Sequence, residues 1–135
     1  MSKTTILCGT ALALVAGAAF ADEVRVYNWS DYIDEDLLTK FEEETGLELV
    51  YDVFDSNEVL ETKMLAGGSG YDVVVPSGTF LQRQISAGAF QKLDMAKLPN
   101  IENMWDVVSS RTAQYDPGNE YSINYMWGTT GIGVN

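Results

Sequence analysis

Residues 71–88 read YDVVVPSGTFLQRQISAG and decide the fold class. The segment from Tyr71 to Pro76 is almost continuously apolar, which is typical of a central parallel strand covered on both faces. A helix is predicted directly after it, from Thr79 to Ala87, with Gly88 as its stop signal. A parallel strand followed by a crossover helix is the unit from which α/β sheets are built.

Two similar strand and helix units precede this stretch. Val24 to Asn28 alternates apolar and polar residues as a strand does, and a helix is expected from its N-cap Asp34 to the stop signal Gly46. Its expected buried stripe consists of Leu37, Leu38 and Phe41. The sequence therefore continues the same alternation toward the N-terminus.

The second unit begins with a strand predicted from Leu47 to Phe54. Ser56 is the expected N-cap of the following helix, and Gly67 with Gly68 is its expected end. After the third unit the pattern weakens into loops with a short helix around 104–108, and residues 121–135 are expected to be extended. The fold class is therefore α/β with a mostly parallel sheet and flanking helices.

The N-terminal residues predict a secretory signal peptide. An apolar run from Ile6 to Phe20 follows Lys3 and ends in the small-residue triplet Ala19-Phe-Ala21. Cleavage after Ala21 divides the chain into a signal peptide, 1–21, and one α/β domain, 22–135. The single cysteine, Cys8, lies in the first part, so the domain has no thiol for a disulfide or for catalysis.

The charge of the chain restricts its partners. The formal net charge is −12, from 20 acidic and 8 basic residues. Nucleic acid is excluded as a partner because phosphate binding requires a basic surface. Two interpretations remain: the charge keeps an exported protein soluble, or it attracts a cationic ligand.

Candidate binding residues follow the predicted strands, because ligands of open parallel sheets bind beyond the carboxyl ends of the strands. The cluster after the first strand, Trp29 to Tyr32, combines two rings, a hydroxyl and a carboxylate. Such a mixture suits an alkyl ammonium, whose methylenes pack on rings while its N–H groups bind oxygen. The alternative is that Trp29 and Tyr32 only pack the turn and that Asp31 is a solvated cap.

Other candidates have similarly open interpretations. Ser77 begins the third helix and is either its N-cap or a polar contact for a ligand. The aromatic residues Tyr121, Tyr125 and Trp127 line either the core or a crevice. No histidine is present in the chain, so His-based triads and the usual zinc sites are excluded, and no metal or cofactor is predicted.

Four blocks of the sequence resemble a known family. They are YNWSDY (27–32), YDVFDSNEVL (51–60), YDVVVPS (71–77) and YMWGTTGIG (125–133). In order and spacing these blocks are similar to those of the periplasmic putrescine and spermidine receptors of bacterial ABC importers. The resemblance runs from Val24 to the last residue.

The resemblance implies the N-terminal lobe of a two-lobed periplasmic-binding-protein-like fold. It implies that residues 129–134 form the first hinge strand and that the second lobe lies outside this sequence. It also implies ligand contacts by five residues, namely Trp29, Ser30, Asp31, Tyr32 and Ser77. Thr79 and Phe80 match a segment close to the ligand.

The function implied is capture of a polyamine in the periplasm and its delivery to the permease of an ABC transporter in the inner membrane. The protein is then a monomer without cofactor and without enzymatic activity. The alternatives are a binding protein of the same fold for another cationic solute, a carboxylate-using hydrolase completed by further sequence, or an interaction module whose aromatic residues contact a partner protein.

Overall fold

The computed structural model describes residues 22–128 and 130–133. The predicted signal peptide and both ends of the predicted hinge strand, Thr129 and Val134, lie outside the described residues. In chain order the elements are β1 (Glu23–Trp29), α1 (Glu35–Thr45), β2 (Glu48–Phe54), α2 (Asn57–Leu65), β3 (Val73–Val74) and α3 (Gly78–Ser86). Two short 3₁₀ helices, Met95–Lys97 and Pro99–Asn103, precede α4 (Asp106–Thr112).

The sheet is parallel and has the strand order β2-β1-β3. β1 pairs along its whole length with β2, from Glu23 opposite Glu48 to Trp29 opposite Phe54. It pairs with β3 only through Val26 opposite Val73 and Tyr27 opposite Val74. The prediction of a parallel α/β sheet is confirmed.

The prediction that the 71–76 strand is central is wrong for the described residues, because β1 occupies that position and β3 lies at an edge. Val73 keeps 49% of its surface exposed, so the strand is not covered on both faces. The run is short as a strand because Pro76 has no N–H to donate and Gly70 bends the chain before it. Apolar composition indicated a strand correctly but not its place in the sheet.

The helix ends follow local signals. Asp34 accepts from the backbone N–H of Asp36 and caps α1, which ends at Gly46 in the left-handed conformation with φ 71°. Ser56 accepts from the N–H of Val59 at 3.3 Å and caps α2. Gly88, with φ 75°, follows the end of α3. These predicted boundaries are confirmed.

Other local predictions need correction. The stripe of α1 is not buried among the described residues, since Leu37 is 51% and Phe41 36% exposed. The helix contacts the edge strand β2. The short helix expected at 104–108 begins at Asp106, after a 3₁₀ turn. The described residues from Tyr121 onward form neither a helix nor a paired strand, so the prediction that they are extended stays a prediction.

The core lies between the sheet and α2. Tyr27, Phe54 and Leu60 are buried, and Trp29, Met64, Tyr71 and Val74 pack against them. The rings of Tyr27 and Tyr71 stack with centroids 4.6 Å apart, and the Lys63 ammonium lies 4.6 Å from the Tyr27 centroid. The Tyr71 hydroxyl accepts from Lys63 and donates to Asp52. Across the described residues, no helix is both long and apolar enough to cross a membrane.

Candidate functional site

The carboxyl ends of the three parallel strands meet at one edge of the sheet. β1 ends at Trp29, β2 at Phe54 and β3 at Val74. The segments that follow carry the polar and aromatic candidates. We call this region the carboxyl edge, formed by residues 29–34, 55–57 and 75–80.

The turn after β1 raises two polar side chains into solvent. The Ser30 N–H donates to the carbonyl of Phe54 at 3.2 Å and fixes the start of the turn. Asp31 then adopts the left-handed conformation, with φ 59°, which few residues other than glycine, asparagine and aspartate adopt readily. Ser30 and Asp31 are both exposed, and the Asp31 carboxylate accepts no hydrogen bond from another described residue. The predicted role of Asp31 as a cap is therefore wrong, because Asp34 caps α1.

The two aromatic rings of the same turn lie close to each other. The centroids of Trp29 and Tyr32 are 6.0 Å apart with their planes tilted by 33°. Trp29 is half-buried, packs on Phe54 at 4.7 Å, and donates its indole N–H to the carbonyl of Val75 at 2.9 Å. Tyr32 is 42% exposed. Trp29 is thus both a packing residue and one wall of the carboxyl edge, and Tyr32 is the more open wall.

Asn28, the residue before Trp29, stabilises this turn through two side-chain hydrogen bonds. It is 3% exposed, its side-chain oxygen accepts from the Trp29 N–H, and its amide donates to the Tyr51 hydroxyl at 2.8 Å. Burial raises the pKa of the Tyr51 hydroxyl above its usual value, and the hydrogen bond from Asn28 opposes that rise.

Ser77 occupies the N-cap position of α3, but its hydroxyl does not cap the helix. Its interpretation as a capping side chain is therefore wrong. Asn57 contacts it twice instead: the Ser77 N–H donates to the Asn57 side-chain oxygen at 2.9 Å, and the Asn57 amide donates to the Ser77 hydroxyl oxygen at 3.0 Å. These bonds join the first turn of α2 to the start of α3.

The remaining candidates lie on the first turn of α3. Thr79 is exposed and faces solvent. The Phe80 ring is half-buried and carries the Arg83 guanidinium 4.1 Å above its centroid. Arg83 also forms a two-point ion pair with Glu61 of α2, at 2.8 and 2.9 Å, so Phe80 is tied to the contact between two helices.

The segment after α4 returns to the carboxyl edge. Asp116 is fully buried and accepts hydrogen bonds from the N–H groups of Glu120, Tyr121 and Ser122 and from the Ser122 hydroxyl. This ordered loop leads to Tyr125, whose hydroxyl donates to the carbonyl of Tyr32.

The three aromatic residues of this segment do not form one group. Tyr121 lies beside the Lys92 ammonium, and Trp127 is 67% exposed. Tyr125 alone reaches the carboxyl edge, as its contact with Tyr32 places it there.

The sequence predicts which segments lie at the carboxyl edge, but it does not show that Asn57 and Tyr125 form hydrogen bonds with residues of that edge. Asn57 follows the predicted N-cap Ser56, yet its pairing with Ser77 across 20 positions has no local signal in the sequence. The contact of Tyr125 with Tyr32 spans 93 positions and has none either. Asp116 precedes Pro117-Gly118, and an aspartate before such a turn is a recognisable signal for a loop anchored by its carboxylate.

The carboxyl edge offers one open wall of rings, hydroxyls and a carboxylate. Within residues 22–128 and 130–133, no group of three or more His, Cys, Asp or Glu side chains could hold a metal ion. A hollow of about 220 Å³, lined in part by Leu98, Ile101 and Met104, shares no residue with the carboxyl edge. The edge is suited to contact one side of a small cation through aromatic faces and oxygen atoms.

This α/β fold is similar to that of a solved ABC-transporter substrate-binding protein. The spermidine/putrescine ABC transporter substrate-binding protein PotD of Streptococcus pneumoniae superposes with a TM-score of 0.74 and 41% identity, over 80% of this chain and 33% of that one. The putrescine-binding periplasmic protein SpuD of Pseudomonas aeruginosa is 58% identical over 97% of this chain and 36% of its own length. PotF of Escherichia coli, also a putrescine-binding periplasmic protein, is 49% identical over 96% of this chain.

Over 96–97% of its residues the chain is thus similar to periplasmic putrescine-binding proteins, of whose length it spans about a third. That share is 36% for both curated relatives. A scan against family models gave no match.

Proposed function

We propose that this chain forms one lobe of a two-lobed periplasmic protein that captures a polyamine and delivers it to the permease of an ABC transporter. The observation that carries the proposal is the exposed Asp31 carboxylate, which accepts no hydrogen bond from a described residue and lies in the same turn as the rings of Trp29 and Tyr32. A primary ammonium stays charged at neutral pH, because its reference pKa is near 10.4. The identity to putrescine-binding proteins supports the same class of ligand.

Each candidate residue has a proposed task. Trp29 and Tyr32 cover the methylenes, and Asp31 accepts N–H bonds from one ammonium group. Ser30 and Ser77 provide further oxygen atoms, and Thr79 and Phe80 line the approach to Ser77. The protein binds without chemical change of the ligand, which agrees with the transport roles of its relatives.

Each segment of the chain also has a proposed role in the whole protein. Residues 1–21 direct export to the periplasm and are removed, residues 22–135 form the first lobe, and 129–134 form the hinge strand. Closure of the second lobe then encloses the ligand in a monomeric protein, and the permease recognises that closed form.

The proposal is tested by calorimetric titration of the full-length protein with putrescine, spermidine and lysine. Asp31→Asn keeps a residue that tolerates φ 59° and removes only the charge. Loss of a charged hydrogen bond of about 1.5–3 kcal/mol predicts a Kd for the polyamine raised roughly 10- to 100-fold.

The matched control is Glu43→Gln, which removes the same charge from the exposed surface of α1 and is expected to leave affinity unchanged. Equal losses of polyamine affinity in both variants would show that Asp31 acts only through long-range electrostatics and does not contact the ligand. Binding of lysine but of neither polyamine would replace the proposed ligand by another cationic solute.

A further inference from the structure

The hydroxyl group of Ser77, at the N-cap of α3, accepts no backbone N–H group of that helix. The side chains at the N-cap positions of α1 and α2 accept backbone N–H groups of their own helices. Ser77 holds the same position in α3, with extended φ −71° and ψ 154°, yet makes no such bond. Something outside α3 therefore determines where the hydroxyl points.

Asn57 is that outside group. Its oxygen accepts the Ser77 N–H at 2.9 Å, and its amide donates to the Ser77 hydroxyl oxygen at 3.0 Å. The two bonds fix both the backbone and the side chain of Ser77 from the first turn of α2. A serine hydroxyl has two lone pairs and one proton, so one lone pair and the proton stay available to a ligand or to water.

We propose that Asn57 is a positioning residue for ligand binding, which holds Ser77 away from the capping geometry so that its oxygen accepts an ammonium N–H. This inference rests on the proposed function, since it assumes a cationic ligand at the carboxyl edge. Asn57 itself acts through Ser77. Without the amide, the hydroxyl turns back to cap α3, because N-cap serines gain a hydrogen bond there.

A double-mutant cycle measures this coupling. Putrescine affinity is determined by calorimetry for full-length wild type, Ser77→Ala, Asn57→Ala and the double variant. A hydrogen bond from a charged donor predicts about a tenfold loss for Ser77→Ala. Asn57→Ala is expected to lose several-fold, and the double variant no more than Ser77→Ala alone, because the two residues act as one unit.

Two further measurements separate positioning from folding. The thermal midpoint without ligand is expected to fall little in Asn57→Ala, since the freed hydroxyl caps α3. Asn103→Ala, an exposed asparagine of the second 3₁₀ helix, is the matched control and is expected to bind like wild type. If Asn57→Ala does not fold, Asn57→Ser takes its place, because a serine has no amide to donate to Ser77.

The outcomes are distinct. Losses that add in the double variant would overturn the positioning role, and so would wild-type affinity in Asn57→Ala. A wild-type protein that binds no polyamine would refute the proposed function itself. Coupled losses with an intact fold would establish that Asn57 acts through Ser77.

Discussion

Gly78 is the first residue of α3 and lies directly under the ring of Tyr115. A Cβ atom at this position would lie 2.6, 2.7 and 2.9 Å from three carbon atoms of that ring. Carbon atoms normally approach to about 3.5–4.0 Å, so the ring would have to retreat by about 1 Å. Gly78→Ala is therefore an overpacking substitution at the helix that begins beside Ser77.

The size of the effect follows from two opposing contributions. Overpacking of this kind costs about 1–3 kcal/mol. Alanine is favoured over glycine within a helix by about 0.5–1 kcal/mol, which offsets part of that cost. We expect Gly78→Ala to lower the free energy of unfolding by about 1–2 kcal/mol.

The assay is urea unfolding of the full-length protein followed by circular dichroism, with the midpoint falling at an unchanged slope. Gly128→Ala is the control, since nothing lies within 4 Å of its added Cβ. In a Tyr115→Ala background the ring is absent, and Gly78→Ala is then expected to be neutral or stabilising. The same loss in both backgrounds would refute the clash with Tyr115 as its cause.

Two further predictions concern polar groups away from the carboxyl edge. Both polar atoms of the Gln84 side chain are buried and have no hydrogen-bond partner among the described residues. Gln84→Met, of similar shape, is therefore expected to raise the free energy of unfolding by about 1 kcal/mol in urea titrations, and a clear loss would mean that the amide has an ordered partner. Hydrogen bonding from Arg83 lowers the pKa of Glu61, so its contribution to stability is present above the pKa of the unfolded chain and is lost as pH falls through the lower folded value. Thermal midpoints measured from neutral to acid pH should therefore show a slightly smaller acid-induced fall for Glu61→Gln than for wild type, the more so at low salt, and identical profiles would contradict this.

Local signals predicted the elements well. Asp34 and Ser56 cap the helices that their sequences predict, and Gly46 and Gly88 end helices in the left-handed conformation that glycine favours. Each of these features is decided by residues within one turn of one another. The parallel sheet could be predicted as well, because strands and helices alternate.

The features that sequence reasoning missed depend on residues far apart in the chain. The apolar run at Val73 does not reveal whether its strand is central or at an edge, since that depends on which strands pair. Similarly, nothing near Ser77 shows that Asn57 directs its hydroxyl. The candidates lie beyond the carboxyl ends of the strands, as the sequence predicts, and their role in binding stays a prediction. The hydrogen bonds between Asn57 and Ser77 could be found only in the structure.

The left-handed backbone at Asp31 limits how this position can vary. With φ 59°, the residues accommodated without strain are glycine, asparagine and aspartate. The position can therefore be negative or neutral but cannot take a longer acid such as glutamate at no conformational cost. Redesign of this protein for cations of another length would have to move the turn or recruit a carboxylate from elsewhere, because lengthening this side chain would distort the backbone that presents it.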